Sequence, residues 1–365
     1  MFGLFSDVFN NYSTTRARLG GKARLIGSAD QTALLTEIPG KIEKYLADQR
    51  MSHLYKVEGS IGNGNIARVP WVGIFRKEIT ESAENGYYIV LLFSEDMSSC
   101  YLSLNQGITA VEKRYTKSFA WKKMAEAADR AWSYLEPDPD LWKGTIRLAS
   151  TGDLGRAYEA AAIASYQYLR TFPVSDTIFF QQLGKLLVHY ERLFSLFKYD
   201  LHSLFTVSEA EFQQVVLDKA AQLSAAQRAG RPIDIPSPAN QTTSRYSRSP
   251  IVAAAAIQAA QFACEIDASH RTFMSRARQQ RYVEAHHLIP ISQQPRFSAS
   301  LDVVANIVSL CATCHRLLHY GANNERRSLL ISLFKRRKQL LRNQDLQIHP
   351  DDFLRLYSGG IGVDD

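Results

Sequence analysis

Two segments decide the fold of the second half of the chain: EAHHLIPIS at residues 284–292 and NIVSLCATCHRLLH at residues 306–319. The first segment follows a short β-type run, and its two adjacent histidines precede a proline. In the second segment His315 and His319 are four residues apart, so on a helix both imidazoles would share one face. The order of these features predicts a β-hairpin followed by a helix.

The residue types in these segments suit metal-assisted hydrolysis of a phosphodiester. Two histidines from the helix and one from the first strand can enclose a divalent cation and leave coordination positions open. An adjacent imidazole outside the metal shell can act as a general base. The cation would stabilise the charge that builds on the phosphoryl oxygens and the leaving oxygen. The stretch therefore predicts a nuclease site.

The pattern HH–N–CxxCHxxxH resembles the ββα-metal (HNH) endonuclease motif over roughly residues 264–320. The resemblance implies His287 as the general base that activates water. It implies Asn306 as the residue that pins the hairpin loop and holds His287 in orientation. It also implies three ligands of the catalytic metal, namely His286, His315 and His319.

A second metal site is predicted from the cysteines. Cys311-x-x-Cys314 is half of a zinc knuckle, and the other half is expected near Cys264. Many HNH relatives have a CxxC pair there, whereas this chain has only one cysteine, followed by Asp267 and His270. We predict a structural zinc held by Cys264, His270, Cys311 and Cys314. Two alternatives stay open: Asp267 as the fourth ligand, or no zinc and cysteines that simply pack beneath the helix.

Composition indicates a folded protein of more than one domain with a polyanionic partner. The chain has 365 residues, 45% of them hydrophobic, and a net charge of +7. Four cysteines, three of them near the histidines, favour metal binding in a reducing compartment over a disulfide framework. The N-terminus lacks the features of a signal peptide, and no apolar run approaches a membrane span. We expect a cytoplasmic protein without a membrane partner.

The pattern along the chain predicts an α+β protein in three parts. Residues 1–205 combine helices with strong strand candidates, residues 206–250 read as a helical connector and linker, and residues 251–365 carry the nuclease domain. Within the first part, the alanine-rich run Tyr158–Tyr168 reads as a helix. After His319 a strongly basic helix is expected to contact DNA phosphates. The arginines predicted to do so are Arg326, Arg327, Arg336 and Arg337.

The first part carries a second resemblance, in GSIGNGN…VPWVGIF…GYYIVLLFSEDMSSCYLSLNQG between residues 59 and 107. This segment is similar to the N-terminal domain of the McrB-like restriction family, which is related to EVE domains of the PUA-like superfamily. The resemblance spans roughly residues 10–200. It implies a small β-barrel-type domain with helices that accepts a flipped, modified cytosine in an aromatic pocket. The chain has no GxxxxGK[ST] P-loop, so it lacks the GTPase motor of McrB itself.

A flipped base costs a few kcal/mol of unstacking, which stacking and hydrogen bonds to the base edge must offset. The aromatic candidates for the pocket walls are Trp71, Phe75, Tyr87 and Tyr88, and the last two alternate on a strand, so at most one faces a given pocket. The amide candidates for the base edge are Asn63, Asn65 and Asn105.

Together these features predict a modification-dependent, type IV-like restriction endonuclease for foreign double-stranded DNA that carries 5-methyl- or 5-hydroxymethylcytosine. Mg, Mn, Co or Ni can occupy the three-histidine site, and zinc the cysteine site. A homodimer would supply two active sites for a double-strand break. Two alternatives remain: an HNH nuclease without modification dependence, and a non-catalytic reader of modified DNA.

Overall fold

The computed structural model describes residues 1–144, 146–172, 174–205, 207–221, 238–240, 243–246, 248–275 and 279–357. The chain divides into two compact units. One comprises Met1–Lys113 and Lys117–Thr206, and the other comprises Val207–Asp365 together with Arg114–Thr116. The prediction of an α+β protein is confirmed. Residues 206, 222–237, 241–242 and 247 of the predicted connector and linker, and the C-terminal tail from residue 358, lie outside the described residues.

The first unit is built on an antiparallel sheet of six strands in the order β1-β2-β3-β4-β6-β5. The strands are β1 (Tyr55–Ser60), β2 (Trp71–Arg76), β3 (Tyr87–Phe93), β4 (Ser99–Gln106), β5 (Trp142–Lys143) and β6 (Ala162–Leu169). Strands β3 and β4 are buried along their whole length. Among the described strands, β1 and β5 form the two edges of the sheet, so the β-barrel-type domain implied by the resemblance is an open sheet here.

Helices cover both faces of this sheet. They are α1 (Phe2–Arg18), α2 (Ala29–Thr32), α3 (Ile38–Asp48), α4 (Thr109–Arg114), α5 (Lys117–Trp132), α6 (Asp153–Ala161) and α7 (Asp176–Phe197), with a π-turn (Ala33–Glu37) between α2 and α3. Residues of α1, α3, α5 and α7 form the main core with one sheet face. The other face carries a smaller core that includes Phe75, Tyr88 and Tyr158.

The helix predicted for Tyr158–Tyr168 is wrong from Ala162 onward. Helix α6 ends at Ala161, and strand β6 begins at the next residue. Ser165 of β6 pairs with Ser103 of β4 on one side and with Trp142 of β5 on the other. Alanine has a high helix propensity, but here the backbone hydrogen bonds that two neighbouring strands offer outweigh it.

The second unit contains the hairpin and helix expected from the sequence. Its strands are β7 (Pro238–Asn240), β8 (Thr243–Tyr246), β9 (Glu284–His287) and β10 (Ile307–Leu310), and its helices are α8 (Glu209–Ala220), α9 (Pro250–Ala259), α10 (Ala312–Tyr320), α11 (Asn323–Arg342) and α12 (Pro350–Leu356). Strands β9 and β10 pair antiparallel, with Val308 opposite His286 and Ile307 opposite His287. Helix α10 begins two residues after β10, so the ββα arrangement is complete.

Helix α8 belongs to the second unit rather than to a connector. Its apolar residues Phe212 and Val216 pack with the alanine-rich helix α9 in one buried cluster. The side chain of Gln213 accepts a hydrogen bond from the Ala285 N–H at 2.7 Å and donates to the Ala285 carbonyl at 2.8 Å. The predicted connector of residues 206–250 therefore begins with a helix that packs on strand β9.

Among the described residues, no helix is both long enough and apolar enough to cross a membrane.

Candidate functional site

Three histidines meet where strand β9 faces helix α10. His286, His315 and His319 are 2%, 6% and 7% exposed, and their nearest ring nitrogens lie within 4.8 Å of one another. The Nε2 atoms of His315 and His319 are 3.2 Å apart. Two nitrogens that each bind one ion at about 2.1 Å, at an angle of roughly 100°, would have that separation. The three residues predicted as metal ligands are thus brought together at a spacing that fits a divalent cation.

A carboxylate orients one of these histidines. The Nδ1–H of His315 donates to Oε2 of Glu284 at 2.6 Å, and the Tyr282 hydroxyl donates to Oε1 at 2.9 Å. Burial alone would raise the pKa of Glu284, but the hydrogen bond from His315 outweighs burial and holds that pKa below its ordinary value. An ionised carboxylate only accepts hydrogen bonds, so His315 carries its proton on Nδ1 and presents the Nε2 lone pair to the cluster.

Glu284 was absent from the sequence-based site, although the pattern contained a signal for it. Tyr282, Glu284 and His286 are spaced by two residues, so in an extended segment their side chains share one face. That face is the one from which His286 enters the cluster. A carboxylate two residues before a metal-binding histidine in a strand is therefore a candidate partner for the other ligands.

His286 is the most deeply buried of the three ligands. Burial, together with the neighbouring imidazoles of His315 and His319, holds the pKa of His286 well below its ordinary value. Its Nε2 atom lies 3.2 Å from the Tyr357 hydroxyl, whereas its buried Nδ1 atom has no hydrogen-bond partner among the described residues. A neutral imidazole with an unsatisfied ring nitrogen is the form that binds a cation.

His287 points away from the metal cluster, as the alternation of a strand requires. Its Nε2 atom lies 3.0 Å from Oδ1 of Asp302, and both side chains are buried. The other carboxylate oxygen of Asp302 accepts the Ser249 N–H at 2.6 Å. Asp302 lies in the spacer between the two histidine segments, where no motif identified it.

Asn306 ties the hairpin loop together. Its Oδ1 accepts the Ile289 N–H at 2.7 Å, and its Nδ2 donates to the carbonyls of Ile289 and Leu301, both at 2.9 Å. These bonds connect the segment that follows His287 with the segment that precedes strand β10. The part of Asn306 in orienting His287 itself stays a prediction.

The four residues predicted for zinc form a second cluster. The Nδ1 atom of His270 lies 3.6 Å from Sγ of Cys311 and 3.4 Å from Sγ of Cys314, with Cys264 in the same group. Tetrahedral zinc with bonds of about 2.3 Å to sulfur and 2.0 Å to nitrogen places such atoms about 3.5 Å apart. The alternative ligand Asp267 instead accepts the Ser269 N–H at 2.8 Å.

The surroundings of Cys264 favour its thiolate form, whereas burial and the neighbouring cysteines raise the pKa of Cys314. Burial raises the pKa of the Cys264 thiol. Backbone N–H groups, with those of Cys311 and Asp267 foremost, outweigh burial and lower the pKa to about 7. The N–H of Cys314 points at Sγ of Cys311 at 3.4 Å, so that sulfur also caps helix α10. The cluster can therefore hold zinc and join the segment after α9 to the start of α10.

Two of the four predicted phosphate contacts are wrong. Arg326 is 7% exposed, and its guanidinium donates to Asn323 Oδ1 and to the Tyr357 carbonyl. Arg337 donates to both carboxylate oxygens of Glu265, at 2.6 and 2.8 Å. Both arginines are used to hold the unit together, because they lie on the face of α11 that packs inward. Arg327 and Arg336 are exposed, and their contact with phosphates stays a prediction.

Three of the residues predicted for the base pocket are wrong, because they are buried in the core. Phe75, Tyr87 and Asn105 are fully buried. The Tyr87 hydroxyl donates to the Lys198 carbonyl, and the Asn105 amide donates to the Tyr158 carbonyl. All three lie on strands that have neighbours on both sides and helices over their faces, so they belong to the core of the first unit.

Of the four remaining pocket candidates, one is also fully buried and three are at least partly exposed. Tyr88 is buried on the face opposite Tyr87, and its hydroxyl donates to the Ala83 carbonyl. Trp71, the first residue of β2, is half-buried at the edge of that core, with its ring centre 6.2 Å from that of Phe75. Asn63 and Asn65 are exposed on the loop that precedes β2. Trp71 is thus the one predicted wall residue whose ring is partly accessible.

Comparison with known proteins gives three similarities. Residues 8–195, just over half of the chain, match the family "MrcB-like, N-terminal domain". Residues 272–321 match the HNH endonuclease family. The chain is also 37% identical over 78 residues to the type IV methyl-directed restriction enzyme EcoKMcrA of Escherichia coli (strain K12), an alignment that covers 21% of this chain and 26% of that enzyme. The chain thus spans about a quarter of the length of this relative.

Proposed function

The chain belongs to the MrcB-like N-terminal domain family and carries an HNH endonuclease domain, and from this premise we propose that it is a modification-dependent DNA endonuclease. The observation that carries the proposal is the buried cluster of His286, His315 and His319 beside His287 in one ββα hairpin. The similarity to a methyl-directed restriction enzyme supports modified DNA as the substrate. The net charge of +7 favours a polyanionic partner.

In this proposal His286, His315 and His319 hold a divalent cation, with Mg, Mn, Co and Ni as candidates. When bound, the cation supplies charge stabilisation at the phosphate and leaves positions open for its oxygens. His287 removes a proton from the attacking water. Asp302 accepts the Nε2–H of that ring, so the Nδ1 lone pair is the one that takes the proton.

The first unit is proposed to read the modification. The base, 5-methyl- or 5-hydroxymethylcytosine, would leave the stack of double-stranded DNA and lie against Trp71, with Asn63 and Asn65 close to its edge. The partly accessible Trp71 ring beside a packed sheet face supports this location. We place the activity in the cytoplasm, in the restriction of foreign DNA, and infer that two copies of the chain act together to break both strands.

Cleavage of one plasmid in three forms tests the proposal. The unmodified, cytosine-methylated and hydroxymethylated forms are incubated with Mg or Mn, and EDTA serves as the control. We expect cleavage of the modified forms alone and none in EDTA. Equal cleavage of all three forms would leave a nuclease without modification dependence, and no cleavage with any metal would leave a non-catalytic reader.

Replacing Trp71 by alanine is expected to weaken the preference for modified DNA. Stacking of a base on an aromatic ring contributes about 1–3 kcal/mol, so binding of modified DNA should weaken by about tenfold, while binding of unmodified DNA should change little. Competition binding with paired modified and unmodified duplexes measures the ratio. Trp142→Ala is the matched control, because Trp142 is an exposed tryptophan on edge strand β5. Discrimination equal to that of the wild type would remove Trp71 from the pocket.

A further inference from the structure

A tyrosine far from the histidine motif touches the metal cluster. Tyr357 directly follows helix α12, beyond the residues that match the HNH family, and it is 2% exposed. Its hydroxyl oxygen lies 2.7 Å from the Leu288 carbonyl oxygen and 3.2 Å from Nε2 of His286. The C-terminal helix therefore reaches the first ligand of the cluster from outside the ββα hairpin.

These two contacts determine which ring nitrogen of His286 carries the proton. A phenol has one proton, and the shorter contact, to the Leu288 carbonyl, can only be made by donating it. The Tyr357 oxygen is then an acceptor toward His286, so Nε2 is the protonated nitrogen. The lone pair of His286 lies on Nδ1, the buried atom that has no hydrogen-bond partner among the described residues.

His315 carries its proton on the other ring nitrogen, Nδ1. Glu284 accepts the Nδ1–H of His315, which leaves the lone pair on Nε2, 3.2 Å from Nε2 of His319. The ring centres of His286 and His315 are 5.1 Å apart. A neutral phenol and a carboxylate thus select different tautomers at the two rings, and in each case the nitrogen that faces away from the selecting group is left for the cation.

Tyr357 is itself held in place by helix α11. The Arg326 guanidinium donates to the Tyr357 carbonyl at 2.5 Å and to the side chain of Asn323 at the start of α11. The Tyr357 ring packs edge-on against Phe353, which stacks on Phe334 of α11 with ring centres 4.5 Å apart. A charged side chain and two aromatic rings therefore fix the position of the hydroxyl.

We propose that Tyr357 is a positioning residue for the catalytic metal site: it fixes the tautomer and orientation of His286 so that Nδ1 faces the cation. The inference rests on the proposed function, in which His286 is a metal ligand. It adds the C-terminal helix α12 to the parts of the chain that the nuclease site requires, and it gives the buried Arg326 a role in anchoring that helix.

The test removes one oxygen atom. Tyr357→Phe keeps the ring and its packing but loses the hydrogen bonds to His286 and to the Leu288 carbonyl. We expect the affinity for Mn²⁺ to fall about tenfold, the lower end of the usual effect of losing a partner of a metal-binding histidine. Isothermal titration and Mn²⁺ electron paramagnetic resonance on the full-length, zinc-loaded chain measure this change. His286→Ala should lose the site, and Tyr320→Phe, which removes the hydroxyl of an exposed ring beside His319, should leave the affinity unchanged.

A second readout does not depend on Mn²⁺ binding. Long-range ¹H–¹⁵N correlation spectra of the protein with zinc at the cysteine site and no Mn²⁺ should show His286 as the Nε2–H tautomer in the wild type and as a mixture in Tyr357→Phe. Unchanged thermal unfolding of the variant would confirm that packing is retained. If the variant keeps wild-type Mn²⁺ affinity, or if its His286 stays in the Nε2–H form, the proposal is overturned.

The outcome is separable from that of the proposed function. If the wild type binds Mn²⁺ through His286 yet cuts no DNA, the proposed function fails while the comparison of Tyr357→Phe with the wild type still decides the role of Tyr357. If the wild type and His286→Ala bind Mn²⁺ equally, the cluster is not the metal site and the positioning role of Tyr357 is overturned as well.

Discussion

His287→Ala is expected to lower the rate of DNA cleavage by about 100- to 10,000-fold, the usual contribution of a general base, while DNA affinity stays nearly unchanged. The variant retains the three-histidine cluster, since His287 lies on the opposite face of strand β9. We also expect the side chain to contribute little to DNA binding, because it is buried against Asp302. Single-turnover cleavage of methylated plasmid gives the rate, and fluorescence anisotropy of labelled DNA gives the affinity.

A stability control is needed because His287→Ala leaves the buried Asp302 without its imidazole partner. Without the imidazole, the Ser249 N–H is the one hydrogen-bond donor left to the buried Asp302 carboxylate among the described residues, and an incompletely paired buried group costs about 1–3 kcal/mol. Thermal unfolding therefore has to be recorded for His287→Ala beside His53→Ala, which alters an exposed histidine of the first unit. Wild-type cleavage by His287→Ala would sink its assignment as the base, whatever the stability.

The largest effect on stability is expected for Cys311→Ser. This sulfur faces His270, caps helix α10 and belongs to the group with Cys264 and Cys314. Structural zinc contributes roughly 10–16 kcal/mol of binding free energy in zinc-finger peptides, which exceeds the whole stability of most domains. We expect the variant to lose zinc and the cooperative unfolding of the second unit, while the first unit keeps its own transition.

Zinc content by mass spectrometry and unfolding by calorimetry test this expectation together. Cys100→Ala is the matched control, because Cys100 is buried in strand β4 of the first unit, outside the zinc cluster. Its zinc content should equal that of the wild type even if the first unit unfolds earlier. A wild-type protein without zinc, or a Cys311→Ser protein whose second unit unfolds as before, would contradict the structural role.

The histidine and zinc clusters could be predicted because their members are encoded at short spacings. A strand, a turn and one helix suffice to bring His286 to His315 and His319, and local periodicity determines each element. Tyr357 could not be found in this way. It is 71 residues from His286 along the chain, and only the packing of α11 and α12 brings the two together.

The helical spacing of the arginines in α11 contains information that a count of basic residues does not use. Arg326 and Arg337 are eleven residues apart, about three helical turns, so they share one face. That face also carries the buried residues Leu330, Phe334 and Leu341. A helical wheel would have placed these two arginines on the inward face, whereas counting basic residues treated them as surface charge.

The predictions for the aromatic pocket residues Phe75 and Tyr87 were wrong for a different reason. A run such as Gly86–Phe93 shows that a strand is buried, but it does not show whether one face is open. Tyr87 and Phe75 are on strands that helices or loops cover on both faces, and of the four aromatic candidates only Trp71, at the beginning of β2, reaches the surface. Which aromatic residue is accessible depends on strand order, and strand order is a property of the whole sheet.

The bonds of Gln213 to Ala285 determine where the nuclease can be separated from the rest of the chain. In the part of the chain that the structure describes, strand β9 pairs with β10 alone. On its other side the Gln213 amide bonds the backbone N–H and carbonyl of Ala285, as a second neighbouring strand would. A fragment that begins at Pro250 would uncover this edge one residue before the first metal ligand. Open strand edges invite pairing with other chains. An autonomous nuclease fragment therefore has to begin no later than Ser208, whose capping box starts the protecting helix.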